Sequence, residues 1–75
     1  MKDEGFLLLL KIIGLNVRKH MTEQGICADE LSKRTVISKQ NINKIIEGNY
    51  LRINTHHLFI LADILKISPN RLVKK

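Results

Sequence analysis

The sequence predicts an all-α domain in which five short helices surround one hydrophobic core. Apolar residues recur at helical spacing along most of the chain, and residues that begin or end helices, such as Gly25, Gly48 and Pro69, lie between these segments. No segment shows the alternation of polar and apolar residues that is typical of a strand hairpin. With 75 residues, the chain has room for one domain.

The first predicted helix runs from about Glu4 to Gln24, and Gly25 can end it in the left-handed conformation. We expect one stripe at helical spacing to face the core: Leu10, Ile13, Val17 and Met21. The first half of this helix carries more apolar side chains than one face can bury: Phe6, Leu7, Leu8, Leu9 and Ile12. We therefore treat residues 1–12 as an N-terminal helical extension, which either completes the core or forms a self-association surface. Residues 13–75 form the domain proper.

The second and third predicted helices run from about Ala28 to Arg34 and from about Ser38 to Glu47. Acidic residues in the first turn of the second helix suit its dipole, and the Ser38 hydroxyl can cap the third helix. Only residues 35–37 separate the two helices. Because this connection is so short, we expect the helices to cross steeply, as in a helix-turn-helix.

The last two predicted helices follow the same signals. The fourth runs from about Thr55 to Leu65 with Asn54 as its cap, and it should face the core with Leu58, Leu61, Ala62 and Leu65. In the fifth, Ser68 is the expected cap and Pro69 occupies the first turn, where its missing N–H has no consequence.

The charge of the chain is uneven. Residues 33–52 carry five basic residues against one acidic residue, residues 53–75 carry four against one, and residues 1–32 carry four against five. A basic middle and tail favour a polyanionic partner.

The residue types argue against an enzyme, a bound cofactor, a metal site and a small-molecule substrate. There is no Gly-rich phosphate loop, and Cys27 is the only cysteine. His56 and His57 point about 100° apart on a helix, so they make a poor chelating pair, and with His20 we expect them in surface or half-buried structural roles. The apolar run at residues 6–10 is too short for a membrane span, so we predict a cytoplasmic protein.

The third helix has two contrasting faces. Ile42, Ile45 and Ile46 form its inner stripe, while its outer face carries Lys39, Gln40, Asn43 and Lys44. Amide side chains can pair bidentately with adenine, and lysines can reach guanine acceptors or phosphates. Every amphipathic helix shows a polar face to water, but a merely solvated face usually mixes both charge signs, and this one has almost no acid. We therefore predict that it reads double-stranded DNA.

The segment GICADELSKRTVISKQNINKIIEG, from Gly25 to Gly48, resembles the phage repressor and Cro family of helix-turn-helix domains, also called Xre-like regulators. The family pattern G-L-T-Q-E-E-L-A-x-x-L-G-V-S-x-x-x-I-S-x-I-E-x-G aligns with it without a gap. The stretch LADILKISPNRL at residues 61–72 is similar to the family's closing L-A-x-A-L-G-V-S-x-x-x-L. The resemblance covers residues 13–73 and implies a lambda-repressor-like DNA-binding domain with its third helix in the major groove. The matching residues include Gly25, Glu30, Leu31, Ser38, Ile42, Ile45 and Gly48.

The resemblance also implies which residues touch DNA. Base contacts fall to Lys39, Gln40 and Lys44, with Asn43 next to them. Contacts to the DNA backbone fall to Ser38, Asn41, Asn49, Tyr50 and Arg52. Asn41 is placed for a phosphate or a base, and the alternative for Tyr50 is a ring folded onto the core.

Two of the departures from the family pattern bear on DNA contact and on the turn. Ala28 stands where the family has a glutamine that anchors a phosphate, so one backbone contact is missing. Val36 stands where the family has a glycine in the turn. A β-branched residue with positive φ costs about 1–2 kcal/mol, so we expect the turn to adjust instead.

These observations predict a sequence-specific transcription regulator, a repressor of the phage, plasmid or mobile-element type, with no catalytic activity. If the N-terminal apolar segment is a self-association surface, the regulator is a homodimer. The alternative is a helix-turn-helix module for protein–protein contact, such as an antitoxin or an assembly adaptor, which Ala28, Val36 and the apolar N-terminus favour.

Overall fold

The fold was analysed in a computed structural model, which describes residues 4–74. This part of the chain forms five α-helices and no strand, so the predicted all-α, five-helix fold is confirmed. Ser38 lies just outside the third helix as its N-cap. Residues 1–3 of the predicted extension and Lys75 lie outside the described residues. The helices are α1 (Glu4–Gln24), α2 (Ala28–Arg34), α3 (Lys39–Glu47), α4 (Thr55–Leu65) and α5 (Pro69–Val73).

One hydrophobic core joins all five helices. The stripe predicted for α1 is buried, as are Leu31 of α2 and Leu72 of α5. Leu58 lies at the edge of the core and is only partly buried. The core cluster consists of Ile13, Val17, Met21, Leu31, Ile37, Ile42, Ile45, Leu61, Ala62, Leu65 and Leu72.

Helix α1 spans the domain and packs on α3, α5 and α4. At one end of this contact, Gly48 ends α3 with φ of 77°, and a Cβ atom there would lie 3.1 Å from the Cα of Lys11. At the other side, the Asn16 amide donates hydrogen bonds to the carbonyl of Leu72 at 2.8 Å and to that of Lys74 at 2.6 Å. Helix α1 therefore holds both the end of the third helix and the C-terminal segment.

Two residues differ from the sequence-based expectations. His20 is buried, with 8% of its surface exposed, rather than on or near the surface. It lies on the core-facing side of α1, and its Nδ1 is 3.4 Å from a carboxylate oxygen of Glu23. Ser68 is the N-cap of α5, but its side chain makes no capping hydrogen bond.

The apolar residues at the start of α1 have different environments. Leu10 is buried and Leu9 is half-buried against the core, whereas Phe6, Leu7 and Leu8 are 40%, 45% and 52% exposed. Only part of this apolar surplus completes the core. Helix α1 is continuous through residue 12, so the division between extension and domain stays a prediction. In the region the structure describes, no helix combines the length and apolarity required to cross a membrane.

Candidate nucleic-acid interface

The turn between α2 and α3 is organised by one hydroxyl group. Thr35 Oγ1 donates to the carbonyl of Leu31 at 2.9 Å and accepts a hydrogen bond from the backbone N–H of Ile37 at 3.2 Å. Ile37 is buried in the core, while Val36 is 81% exposed. The turn therefore directs the Val36 side chain outward and anchors that of the next residue, Ile37, in the core, which sets the path of the chain into α3.

Val36 does not adopt the left-handed conformation that a glycine would allow. Among the non-glycine residues of the described chain, only Lys66 has a positive φ. The expectation that the turn adjusts to its β-branched residue is thus confirmed. The Thr35 hydroxyl satisfies backbone groups in the turn, as threonine and serine side chains commonly do.

Helix α3 has a defined beginning and end. The Ser38 hydroxyl accepts a hydrogen bond from the backbone N–H of Asn41 at 3.2 Å, which confirms the predicted cap. At the other end, the N–H of Gly48 donates to the carbonyl of Ile45 at 3.0 Å, and that of Asn49 donates to the carbonyl of Lys44 at 2.8 Å. These bonds satisfy backbone groups at both ends of a helix of only nine residues.

The structure brings the four predicted base-reading residues to the same exposed face. Lys39, Gln40, Asn43 and Lys44 are all exposed, whereas Ile42 and Ile45 on the opposite face are 1% and 2% exposed. The hydrogen bonds and ion pairs found within residues 4–74 do not involve these four side chains. Their amide and ammonium groups are therefore available to an external partner.

Four of the five predicted backbone-contact residues lie around an open depression beside α3. It is lined by Asn41 and Lys44 from the helix and by residues of the loop that follows: Asn49, Tyr50, Leu51 and Arg52. Ser38 lies apart from it, at the beginning of α3. The depression thus joins the exposed face of α3 to a loop that carries a guanidinium and several hydrogen-bonding groups.

Tyr50 both packs against the core and lines the depression. Its side chain is half-buried against the core, and its ring centroid lies 5.4 Å from that of His57 with the planes inclined by 59°. It also lines the depression next to Arg52. Packing therefore fixes the ring without removing it from the surface.

The loop is fixed on its far side by a capping box at the beginning of α4. The Asn54 side chain accepts a hydrogen bond from the backbone N–H of His57 at 3.0 Å, and the N–H of Asn54 donates to His57 Nδ1 at 3.2 Å. Burial, and to a lesser extent the neighbouring His56, lowers the pKa of His57. This favours the neutral imidazole that can accept the bond.

Two of the basic residues near the turn are already paired. Arg34 contacts Glu30 at 2.6 Å and Lys33 contacts Asp29 at 3.8 Å, both within α2. Of the basic residues between positions 33 and 52, Lys39, Lys44 and Arg52 form no ion pair within the described chain. The net charge of residues 33–52 therefore overstates the number of basic side chains that are free to contact phosphates.

Sequence reasoning did not single out Thr35 or the capping role of His57. Thr35 had a usable signal, because hydroxyl residues in short turns often bond to nearby backbone groups. His57 stands three residues after Asn54, where the capping box usually has Glu or Gln, so its type concealed its role. Within residues 4–74, no group of three or more His, Cys, Asp or Glu side chains is arranged to hold a metal ion.

The fold agrees with the comparisons with known proteins. A family model described as a Cro/C1-type HTH DNA-binding domain matches residues 16–74, which is most of the chain. Neither the search of curated proteins nor that of solved structures found a match. Because the match includes all of α2, α3, α4 and α5, the chain belongs to the family of Cro/C1-type helix-turn-helix DNA-binding domains.

Proposed function

We propose that this protein is a sequence-specific transcriptional regulator that acts as a repressor by placing α3 in the major groove. One observation carries the proposal: a single exposed face of α3 presents two amides and two ammonium groups, while buried isoleucines hold the helix from behind. The width of the major groove admits an α-helix, and these side-chain types match the pattern of donors and acceptors on base edges.

In this proposal the residues divide into two groups. Lys39, Gln40, Asn43 and Lys44 contact base edges. The residues at the start of α3 and around the depression contact the DNA backbone and fix the register: Ser38, Asn41, Asn49, Tyr50 and Arg52. Gln40 is the strongest candidate for adenine recognition, because it combines a bidentate amide with an exposed position in the first turn of α3.

Repression requires no catalytic step and no cofactor. A protein bound over a promoter excludes RNA polymerase by steric competition, and we place this activity in the cytoplasm, where the DNA lies. The functional unit in the proposal is a homodimer formed through the N-terminal apolar segment. Two α3 helices related by a two-fold axis would then read half-sites about 34 Å apart.

The decisive experiment is selection of bound DNA from a random pool, followed by measurements on the selected site. Gln40→Ala should weaken binding to that site by about 1–3 kcal/mol and leave binding to random DNA almost unchanged. Asn70→Ala, an exposed amide on α5, is the matched control and should leave both affinities unchanged. Equal losses on both DNAs would contradict base reading by Gln40, and a pool without enrichment would refute the regulator.

The alternative, a module for protein–protein contact, predicts an apolar patch in place of this face. Apolar side chains are instead exposed elsewhere, such as Phe59 beside a groove between α4 and α5. The depression next to α3 carries one exposed leucine, Leu51, among polar and charged side chains. This distribution favours nucleic acid over protein as the partner of α3.

A further inference from the structure

Helix α1 carries a second apolar stripe on the side turned away from the core. Leu8 and Leu15 are 52% and 66% exposed, Ile12 between them is half-buried, and all three line one shallow surface groove. Their spacing of four and three residues places them on one face of the helix. No part of the chain that the structure describes covers this face enough to bury the two leucines.

Two opposite charges lie at the ends of this outer stripe. Glu4 precedes Leu8 by one helical turn and Lys19 follows Leu15 by one turn, and both are exposed. Leu8 and Leu15 are equally distant from the midpoint between Lys11 and Ile12, and so are Glu4 and Lys19. The stripe is therefore self-complementary when it meets a second copy of itself running in the opposite direction.

We propose that two copies of this chain pair through antiparallel α1 helices, with a two-fold axis at the midpoint between Lys11 and Ile12. Leu8 of each copy packs on Leu15 of the other, and Glu4 of each copy pairs with Lys19 of the other. A two-fold interface requires this reciprocal contact of one patch with itself. The paired region extends over about 22 Å, from Glu4 to Lys19 at 1.5 Å per residue.

The charge pattern decides the direction of the pairing. A parallel arrangement would place Glu4 against Glu4 and Lys19 against Lys19, and like charges in contact oppose association. Lys11 lies near the axis and lines the same groove as the stripe, but its stem runs along Gly48 at the end of α3. This inference rests on the proposed function, because it specifies how the proposed homodimer forms. The stripe shares no residue with the predicted DNA-contact surface.

Disulfide trapping tests the direction directly. In a Cys27→Ser background, which removes the free exposed thiol, Leu8→Cys and Leu15→Cys chains are made with different masses and oxidised separately and together. Antiparallel pairing predicts a disulfide between the two kinds of chain and none within either kind, because only facing residues meet the geometry of the bond. Position 12 lies next to the axis, so the Ile12→Cys variant should form a homodisulfide. This product would show that the chains associate.

Charge reversal tests the proposed ion pairs by sedimentation. Glu4→Lys and Lys19→Glu should each raise the dimer dissociation constant about threefold to tenfold, because two exposed pairs become like-charge contacts. The double variant restores opposite charges and should return to within about twofold of the unaltered protein. Circular dichroism confirms that each variant keeps its helices.

Removing one leucine tests the apolar part. Leu15→Gln should raise the dissociation constant more than tenfold, whereas Phe59→Gln, which removes a similarly exposed apolar side chain from α4, should leave it unchanged. Homodisulfides of Leu8→Cys alone and of Leu15→Cys alone, a monomer at every concentration, or dissociation by Phe59→Gln would each overturn the pairing. These results do not depend on DNA, so their failure is distinguishable from failure of the selection experiment.

Discussion

A Cβ atom added to Gly14 would lie 2.6 Å from the carbonyl oxygen of Ile46. The carbonyl oxygen of Ile45 would be equally close, at 2.5 Å. The backbone of α1 therefore lies directly against the last turn of α3, and no side chain fits between them. This contact determines how far the exposed face of α3 stands from the rest of the domain.

Gly14→Ala should destabilise the protein by about 1–3 kcal/mol, because the added methyl group meets backbone atoms that cannot rotate away. Gly5→Ala is the matched control on the same helix, since a Cβ there has nothing within 4 Å. It should be neutral or stabilising by up to about 1 kcal/mol through helix propensity. Urea denaturation of both variants gives the comparison, and equal stabilities would refute the close packing of α1 on α3.

Lys66→Gly should stabilise the protein. Lys66 ends α4 with φ of 62°, a conformation that costs an L-residue about 1–2 kcal/mol, and the extra freedom of glycine in the unfolded chain offsets part of the gain. We expect a net increase of about 0.5–1 kcal/mol in the free energy of unfolding. Lys74→Gly, at a C-cap with φ of −98°, should bring no gain. If the two substitutions have the same effect, the strain assigned to Lys66 is absent.

Acidification should destabilise the domain through His57. Its pKa is lowered in the folded state, so the unfolded chain takes up a proton first as the pH falls below the ordinary value of 6.5. The stability that depends on the neutral imidazole of His57 is thus fully present above pH 6.5 and is lost as the pH falls towards the lower pKa of the folded state. Thermal unfolding between neutral and mildly acidic pH measures this loss.

His57→Gln separates this effect from other titrations. A glutamine carbonyl at the third position of the helix can still accept the bond from the Asn54 N–H, but it does not titrate. The variant should retain stability at neutral pH and lose less of it on acidification than the unaltered protein. A variant with the same pH dependence as the unaltered protein would show that His57 is not the responsible group.

Binding to DNA should weaken steeply with salt, but less steeply than the basic residue count suggests. With Lys39, Lys44 and Arg52 unpaired, about three contacts per subunit give a slope of log affinity against log salt near −2.7, or roughly −5 for a dimer. Arg52→Gln should make this slope shallower by about 0.9 per subunit and weaken binding to all sequences alike. Lys33→Gln, whose charge is paired with Asp29, should leave the slope unchanged, and a slope near zero for the unaltered protein would remove the nucleic-acid interface.

The family pattern has a glycine followed by V-S at two places, and this chain has Val36 at one and Lys66 at the other. The backbone conformation differs between these two places, since Lys66 has a positive φ and Val36 does not. A β-branched side chain is strongly disfavoured in that region, and the Thr35 hydroxyl offers Val36 another route through the turn. Lysine tolerates the conformation at a cost. The local chemistry therefore explains why Val36 and Lys66 differ. The sequence pattern alone does not predict which of the two residues keeps a positive φ.

Periodicity and capping signals were sufficient to determine the helices, the core stripe and the exposed face of α3. These properties depend on residues one to four positions apart, so the sequence carries them directly. The burial of His20, the approach of α1 to α3 at Gly14 and the tether from Asn16 to the C-terminal segment depend on residues far apart in the chain. Only the packed structure decides them, because side chains from separate helices compete for one core volume, and no local pattern records which of them meet.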